Sequence, residues 1–426
     1  MKHDVIVIGA GLSGLMAAKT AADCGLRTLI LAKGMGMIHV SPGGIDLLGY
    51  YPEESMEIEE DPFSALGRLI EERPDHPYSK VGLEDLEHAL ASLSALFSSG
   101  GYRYTGEGRK NTVLPTGIGS ARPSYLVPST MVGGKGVFSE PTLLVGFHEF
   151  AGFYPAYAAR NLRNSGGEGG GGPEVRSGYV EVADIGGRNS FKGSSLALQF
   201  DVGAFREAVA ERVRGIMEGE RLVGFPAVLG LRDPQGVKLD LEARIGSEVF
   251  ELSVLPPSIP GMRLFDAFQR ALRAKGVKMI QGVEVVSAVR KGRHCRGVVV
   301  KTPSGQQRVH EADSFVLATG RFFGGGLRAE HDRIVEPIFD LPVVQPEGRA
   351  EWFSDDFFAK EGHPINRAGI KTNDRLNPVD GKGGPVLENL FLAGSILGHH
   401  DPAREKSGSG VAVGTGYKAV QNLVEK

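Results

Sequence analysis

Gly9, Gly11 and Gly14 have the spacing of a turn that carries a strand directly into a helix, and a turn of that kind binds an anion. Gly9 permits the tight bend, Gly11 lets a phosphate or diphosphate approach the backbone, and Gly14 lets the helix lie against the strand. With Leu12 and Ser13, they offer N–H groups and the positive end of a helix dipole to a ligand. Val5-Ile6-Val7-Ile8 supplies the buried strand before the turn, and Ala17, Ala18, Ala21 and Ala22 belong to a small-residue helix after it. These residues imply a nucleotide cofactor. A second strand, Arg27 to Ala32, ends in Ala32-Lys33-Gly34, where dinucleotide folds place an acid for a ribose diol. Ordinary NAD binding is therefore disfavoured. Lys33 could face a phosphate or simply be a solvated lysine at a strand end.

Three further segments point to a flavin. Phe315-Val316-Leu317-Ala318-Thr319-Gly320 resembles the strand that re-enters the nucleotide domain in flavoproteins of the glutathione-reductase type. Asn389-Leu390-Phe391-Leu392-Ala393-Gly394-Ser395 resembles the last flavin-contacting strand of that class. Ser407 to Gly414 opens the final helix, and its N-terminus at Gly408, Gly410 and Val411 would stabilise negative charge on a flavin's pyrimidine edge. Gly414 and Gly416 each cost that helix about 1 kcal/mol relative to alanine, so close packing is expected there. Arg122 and Arg263 are candidates for an anionic substrate, since a guanidinium fork matches phosphate; structural pairing is the competing reading. His399-His400-Asp401 could relay a proton, or Asp401-Pro402 could turn a loop. No Ser–His–Asp spacing and no metal-ligand spacing stands out. No catalytic acid or base can be named.

The elements around these residues predict an α/β chain with a discontinuous Rossmann-type flavin-binding domain over 1–50 and 255–426. A smaller α/β cap is inserted at 51–254. Within the cap, the patterns predict a helix over Leu83 to Phe97, a strand over Thr142 to Phe147 and a helix over Glu149 to Arg163. A strand over Tyr179 to Ile185, a helix over Gly203 to Met217 and a strand over Leu222 to Leu229 follow. The Gly-rich stretch 165–172 reads as a surface loop. Gly261 to Lys275 should be a helix, followed by a β-rich part at about 277–310. At 426 residues the chain exceeds one ordinary core. A net charge of −3 does not suggest nucleic-acid binding, and two cysteines exclude a disulfide framework or a cysteine-ligated iron–sulfur cluster held by this chain alone. The start leaves no room for a signal peptide, and the apolar run Thr142 to Ala159 contains His148, Glu149 and Pro155, so no membrane span is expected.

The whole pattern resembles the B-type subunit family of anaerobic glycerol-3-phosphate dehydrogenases, end to end. It rests on Gly9 to Leu15, Ser41-Pro42-Gly43-Gly44-Ile45-Asp46-Leu47-Leu48, Leu114-Pro115-Thr116 with Arg122, and Leu255-Pro256-Pro257-Ser258 with Gly261 and Arg263. Phe322 to Leu327, Glu336-Pro337-Ile338, Glu351-Trp352, Asp356-Phe357-Phe358 and Gly394-Ser395-Ile396-Leu397-Gly398 with Asp401-Pro402 complete it. The resemblance adds Ser41, Gly43 and Gly44 to the cofactor candidates. It implies FMN, an A-type flavoprotein subunit, an iron–sulfur C-type subunit, and electrons from glycerol 3-phosphate passed towards quinone, leaving dihydroxyacetone phosphate. It also implies a cytoplasmic chain that can be peripheral at the inner face of the membrane through a partner. The residues leave the cofactor open: the missing acid at Ala32 favours FMN, and the glycine turn favours the diphosphate of FAD. His39, just before Ser41, resembles the covalently flavinylated histidine of succinate dehydrogenase flavoproteins, at a shorter spacing to the glycine pair. Two alternatives stand beside this reading: an independent FAD-dependent oxidoreductase of a small acid, and a non-catalytic scaffold subunit. The retained glycines argue against the scaffold.

Overall fold

The computed structural model describes residues 2–100, 102–166 and 172–425. The chain forms two compact units: Met1–Met37, Asp46–Leu96 and Phe268–Lys426 make the first, and Ile38–Ile45 with Phe97–Ala267 the second.

The first unit is organised by β1 (His3–Ile8), whose residues from Val5 onward are buried on both faces. The chain turns into α1 (Leu12–Asp23), returns as β2 (Thr28–Ala32), and runs as α2 (Leu83–Gly100), within which the unit boundary falls after Leu96. Its later part supplies β3 (Lys278–Gln281), β4 (Glu284–Lys291), β5 (His294–Lys301), β6 (Gln307–Leu317), β7 (Leu390–Leu392) and α3 (Gly408–Val424). The sheet runs β3-β2-β1-β6-β5-β4, with β7 also on β6. β6 does two jobs. Its first half pairs antiparallel with β5, and its second half lies parallel to β1 and β7, with Ile6 opposite Phe315 and Val316 opposite Phe391. From Phe315 onward the parallel part of β6 is apolar, as are Val5–Ile8 and β7 beside it, as strands covered on both faces must be. It brings the C-terminal ends of β1, β6 and β7 side by side, the edge at which such sheets hold ligands.

The second unit carries a four-stranded parallel sheet in the order 248–252, 222–226, 142–147, 175–180. Phe147, Phe200, Phe225 and Phe250 fill its core. Residues 46–96, expected largely in the cap, belong to the first unit instead. Their apolar side chains pack on α3: a Cβ at Gly414 would lie 3.1 Å from Leu86 and 3.3 Å from Val81, and Lys418 Nζ is 2.6 Å from Asp85. Residues 255–267 join the second unit, where Ser258 N–H donates to the His39 carbonyl at 2.7 Å.

Three elements differ from expectation. The helix expected from Glu149 starts at Pro155, because proline suits a first helical turn and unsettles the residue before it. Glu149 instead accepts the N–H groups of Val182 and Ala183. The strand expected over 179–185 occupies Val175–Val180 and is followed by a short helix, Ala183–Gly186. The strand from Leu222 stops at Pro226. Most of the Gly-rich stretch lies outside the described residues.

Candidate functional site

The glycine turn is built by close approach. Gly9 has φ +114°, its N–H donates to the Leu31 carbonyl at 2.8 Å, and any Cβ would strike the Ala318 carbonyl. Gly14 faces the Gly9 carbonyl so closely that no side chain fits. Gly11 is different: its φ of −73° is ordinary, and a Cβ there would meet nothing within 4 Å. The turn therefore leaves open space at Gly11, at the N-terminus of a helix without an acid in its first turn. Leu12, Ser13 and Gly14 form that first turn. Gly36 crosses over it, with its hypothetical Cβ 2.8 Å from the Gly11 Cα. Such a cradle fits a phosphate group.

Thr319 and Gly320 lie just beyond the end of β6. The Thr319 hydroxyl is buried without a hydrogen-bond partner, and Gly320 takes φ +69°. Gly394 follows β7 with φ +80°, where a Cβ would collide with Ser13 Oγ; its N–H is taken by Thr415 Oγ1 at 2.8 Å. Ser395 Oγ would lie 3.4 Å from a Cβ on Gly320, so these two turns adjoin. Gly416 also packs here, with a hypothetical Cβ 3.2 Å from the Met16 Cβ. α3 thus needs its inner glycine to lie on α1.

The start of α3 is more enclosed than the sequence suggests. Gly410 N–H donates to the Asp46 carbonyl at 2.8 Å, and a Cβ on Gly410 would lie 2.9 Å from the Leu47 Cα. Val411 is fully buried. Gly408 and Ser409 keep partial exposure.

Two other candidates, Lys33 and Arg263, resolve into structural roles. Lys33 is exposed and pairs with Glu284 at 2.9 Å, so it is a surface ion pair and not a phosphate ligand. Arg263 is 3% exposed and holds Glu251 with both Nη atoms, at 2.7 and 2.9 Å, while its Nε donates to the Gly230 carbonyl at 2.8 Å. The coulombic pull of Glu251 keeps its proton on more tightly than usual in spite of burial. Such a side chain cannot reach a substrate, which corrects the expectation for Arg263. Arg122 stands half-buried opposite Leu114 in the hairpin of Thr112–Pro115 and Ala121–Ser124. Ser41, Gly43 and Gly44 fall in the second unit, where Tyr104 Oη donates to the Gly43 carbonyl at 2.8 Å and Gly43 has φ +104°. His39 is there too, 5.4 Å from the Phe265 ring, its proton affinity lowered by burial.

Asp401 caps the turn Pro402–Glu405 by accepting from Ala403 N–H at 3.1 Å, so the loop reading holds and no chain of bonds links His399, His400 and Asp401. Sequence reasoning missed a buried polar cluster around this turn. Glu405 accepts from Ser407 Oγ at 2.6 Å and from Asp401 N–H at 3.0 Å. His76 Nδ1 accepts the Tyr78 N–H at 3.1 Å, which leaves Nε2 to carry the proton facing Glu405 at 3.3 Å. Arg321, on the turn after Gly320, donates to the Leu397 and His400 carbonyls at 3.0 Å and lies 3.2 Å from His400 Nδ1. Burial pulls Arg321 down to about 10 and, more than the adjacent Arg321 charge, pushes His400 well below the usual histidine range. Among the described residues, no cluster of metal ligands occurs and no helix is long and apolar enough to cross a membrane.

Residues 4–411 match the FAD binding domain family. The B-type subunit of a probable anaerobic glycerol-3-phosphate dehydrogenase from Halobacterium salinarum is 35% identical over 98% of this chain and 97% of its own. The B-type subunit of the anaerobic glycerol-3-phosphate dehydrogenase of Aliivibrio fischeri is 30% identical over 100% and 96%. Among solved structures, 3-ketosteroid delta1-dehydrogenase from Sterolibacterium denitrificans has a TM-score of 0.44 at 12% identity and covers 100% of both chains.

Proposed function

Because this chain belongs to the FAD binding domain family and to the B-type subunit family of anaerobic glycerol-3-phosphate dehydrogenases, we propose that it is the flavin-bearing B-type subunit of a glycerol-3-phosphate:quinone oxidoreductase. Glycerol 3-phosphate would become dihydroxyacetone phosphate, and the electrons would pass through partner subunits towards quinone. The observation that carries this reading is the 35% identity over nearly the whole of both chains, joined to a glycine cradle with open space where a cofactor phosphate would sit.

We take FAD over FMN, because the matched family is the FAD binding domain and the Gly9–Gly14 turn suits a diphosphate. The N–H groups of Leu12, Ser13 and Gly14 would hold the phosphate at Gly11. Thr319, Gly320, Gly394 and Ser395 would line the adjoining turns, with the Thr319 hydroxyl as a donor in need of an acceptor. Gly408, partly exposed at the start of α3, would face the pyrimidine edge, with Gly410 and Val411 fixing the helix behind it. Ser41, Gly43 and Gly44 stay in the proposed set on the family resemblance. A bound flavin supplies a two-electron acceptor.

Partners follow from what the chain lacks. Cys24 is exposed and Cys295 buried in β5, so this chain offers no thiolate set for a cluster. An A-type flavoprotein and an iron–sulfur C-type subunit would carry the electron path and the membrane contact, with this subunit on the cytoplasmic side. The test is to express the chain alone and with both partners, release the flavin and identify it by mass. FAD, with reduction of a quinone analogue by glycerol 3-phosphate only in the assembled complex, is the expected result. FMN would overturn the cofactor choice, and an assembled complex inert to glycerol 3-phosphate would overturn the reaction. Rapid flavin reduction in the isolated chain would move substrate oxidation onto this subunit.

A further inference from the structure

A cavity of about 490 Å³ opens within the first unit, lined by Glu54, residues 73–76 and 344–346, Pro364, Arg367, Ala368 and His399. Beside it lies Glu53, whose side chain is fully buried. Arg73 grips that carboxylate with both Nη atoms, at 3.1 and 2.8 Å, and Arg367 adds Nη2 at 2.7 Å. Arg73 is thereby committed to Glu53. Arg367 uses one nitrogen, is two-fifths exposed on the cavity wall, and carries further N–H donors in its fork.

His399 also lines the cavity. Its φ is +64°, a conformation a non-glycine residue keeps only when its surroundings impose it. Here its N–H is tied to the Arg367 carbonyl at 3.0 Å, so the two side chains come from segments locked together. The imidazole Nε2 is buried and has no hydrogen-bond partner. His399 follows the C-terminal end of β7, the edge where open α/β sheets place ligands, and Arg367 is tied to it through that bond. Asp75, paired with Lys371 at 2.8 Å, and Glu54 line the same opening, which therefore offers carboxylate acceptors for hydroxyls as well as a guanidinium for an anion.

We propose that this cavity binds a small polyol phosphate monoester, with Arg367 and His399 as the contacts to its phosphate. The proposal rests on the functional reading above and deepens it by giving glycerol 3-phosphate a seat on this chain. A guanidinium fork matches phosphate geometry, and the imidazole of His399, which lines the cavity, supplies a second contact. The hydroxyls of the glycerol end would face Asp75.

Calorimetric titration of the flavin-loaded chain tests this, with glycerol 3-phosphate, inorganic phosphate and glycerol as probes. Glycerol 3-phosphate should bind, inorganic phosphate should compete with it, and glycerol should not. Arg367→Gln leaves Glu53 its two bonds from Arg73, and His399→Asn keeps a residue that tolerates positive φ. Each should weaken glycerol 3-phosphate about ten- to a hundredfold, the range for losing one charge-assisted bond. Flavin content and the emission of Trp352, the chain's one tryptophan and buried in the same unit, should not move. If Arg367→Gln fails to fold, His399→Asn decides. Undiminished affinity in the folded variants, or no binding of either phosphate, would overturn the proposal. Phosphate binding that depends on Arg367, in a chain whose complex does not oxidise glycerol 3-phosphate, would keep the cavity and refute only the reaction.

Discussion

Arg263→Met separates a structural arginine from a substrate-binding one. The substitution keeps an apolar stem against Tyr102, whose ring lies 5.5 Å from the guanidinium carbon, but removes the charge that faces Glu251. Glu251, 2% exposed, would then be a buried carboxylate with, among the described residues, only Thr130 Oγ1 at 2.6 Å and Leu229 N–H at 2.7 Å as donors. Breaking a buried pair from one side costs about 3–5 kcal/mol, against roughly 0–1 for an exposed pair. The two remaining donors place this case near the lower end, about 3 kcal/mol. In a domain of about 150–250 residues each kcal/mol lowers Tm by roughly 2–4 °C, so the expected drop is about 6–12 °C. Calorimetry or far-UV circular dichroism measures it. Trp352 fluorescence does not, because that residue belongs to the other unit. Arg263→Met with Glu251→Met removes both charges and should recover part of the loss. A single variant that melts within a degree of the parent but no longer binds glycerol 3-phosphate would refute the structural assignment and return Arg263 to the substrate.

Three further outcomes are expected. Gly11→Val should fold with its melting temperature almost unchanged and lose its flavin, since the added side chain enters open space, whereas Gly14→Val should not fold because the Gly9 carbonyl blocks it; full flavin occupancy in the first variant would displace the phosphate from this turn. Thr415→Val strands the buried Gly394 N–H, so urea titration should show a loss of about 1–3 kcal/mol, and no loss would mean that the bond contributes nothing. His400 is held neutral, so as pH falls below about 6.5 the unfolded chain takes up a proton there that the folded chain refuses. Its contribution is therefore complete above that pH and is lost below it, by up to about 1.4 kcal/mol per pH unit, and denaturant midpoints at pH 7.5 and 5.5 should diverge less in His400→Gln than in the parent.

The cradle was legible because its determinants are contiguous: β-branched residues, three glycines and a run of alanines act within Val5 to Ala22. The C-terminal ends of β6 and β7 were legible for the same reason, as apolar runs closed by Thr319-Gly320 and Gly394-Ser395. What escaped depends on distant partners. Arg263 could be judged only with Glu251 beside it, and Lys33 only with Glu284. Glu53, Arg73 and Arg367 have no shared local pattern, and only the fold makes one carboxylate the target of two arginines. Residues 46–96 could not be placed from their pattern, because apolar spacing shows that a helix has a buried face but not which surface buries it.

The way β6 divides its length has a consequence for synthesis. β1 is made first, yet one of its two neighbours, the half of β6 from Ala312 to Leu317, is made about three hundred residues later. At about 5–20 residues per second the ribosome needs roughly 15–60 s to cover that distance. During that time the first strand can pair only with β2, and its other edge has no permanent partner. The second unit, whose sheet closes by Leu252, is complete while the first is still being written. The glycine turn cannot take its final form before Ala318 arrives, because Gly9 is shaped by the Ala318 carbonyl and Ala318 N–H donates to Ile8. Loading with flavin is therefore a late event in the life of the nascent chain, and the unguarded edge of β1 is where a chaperone has most to protect.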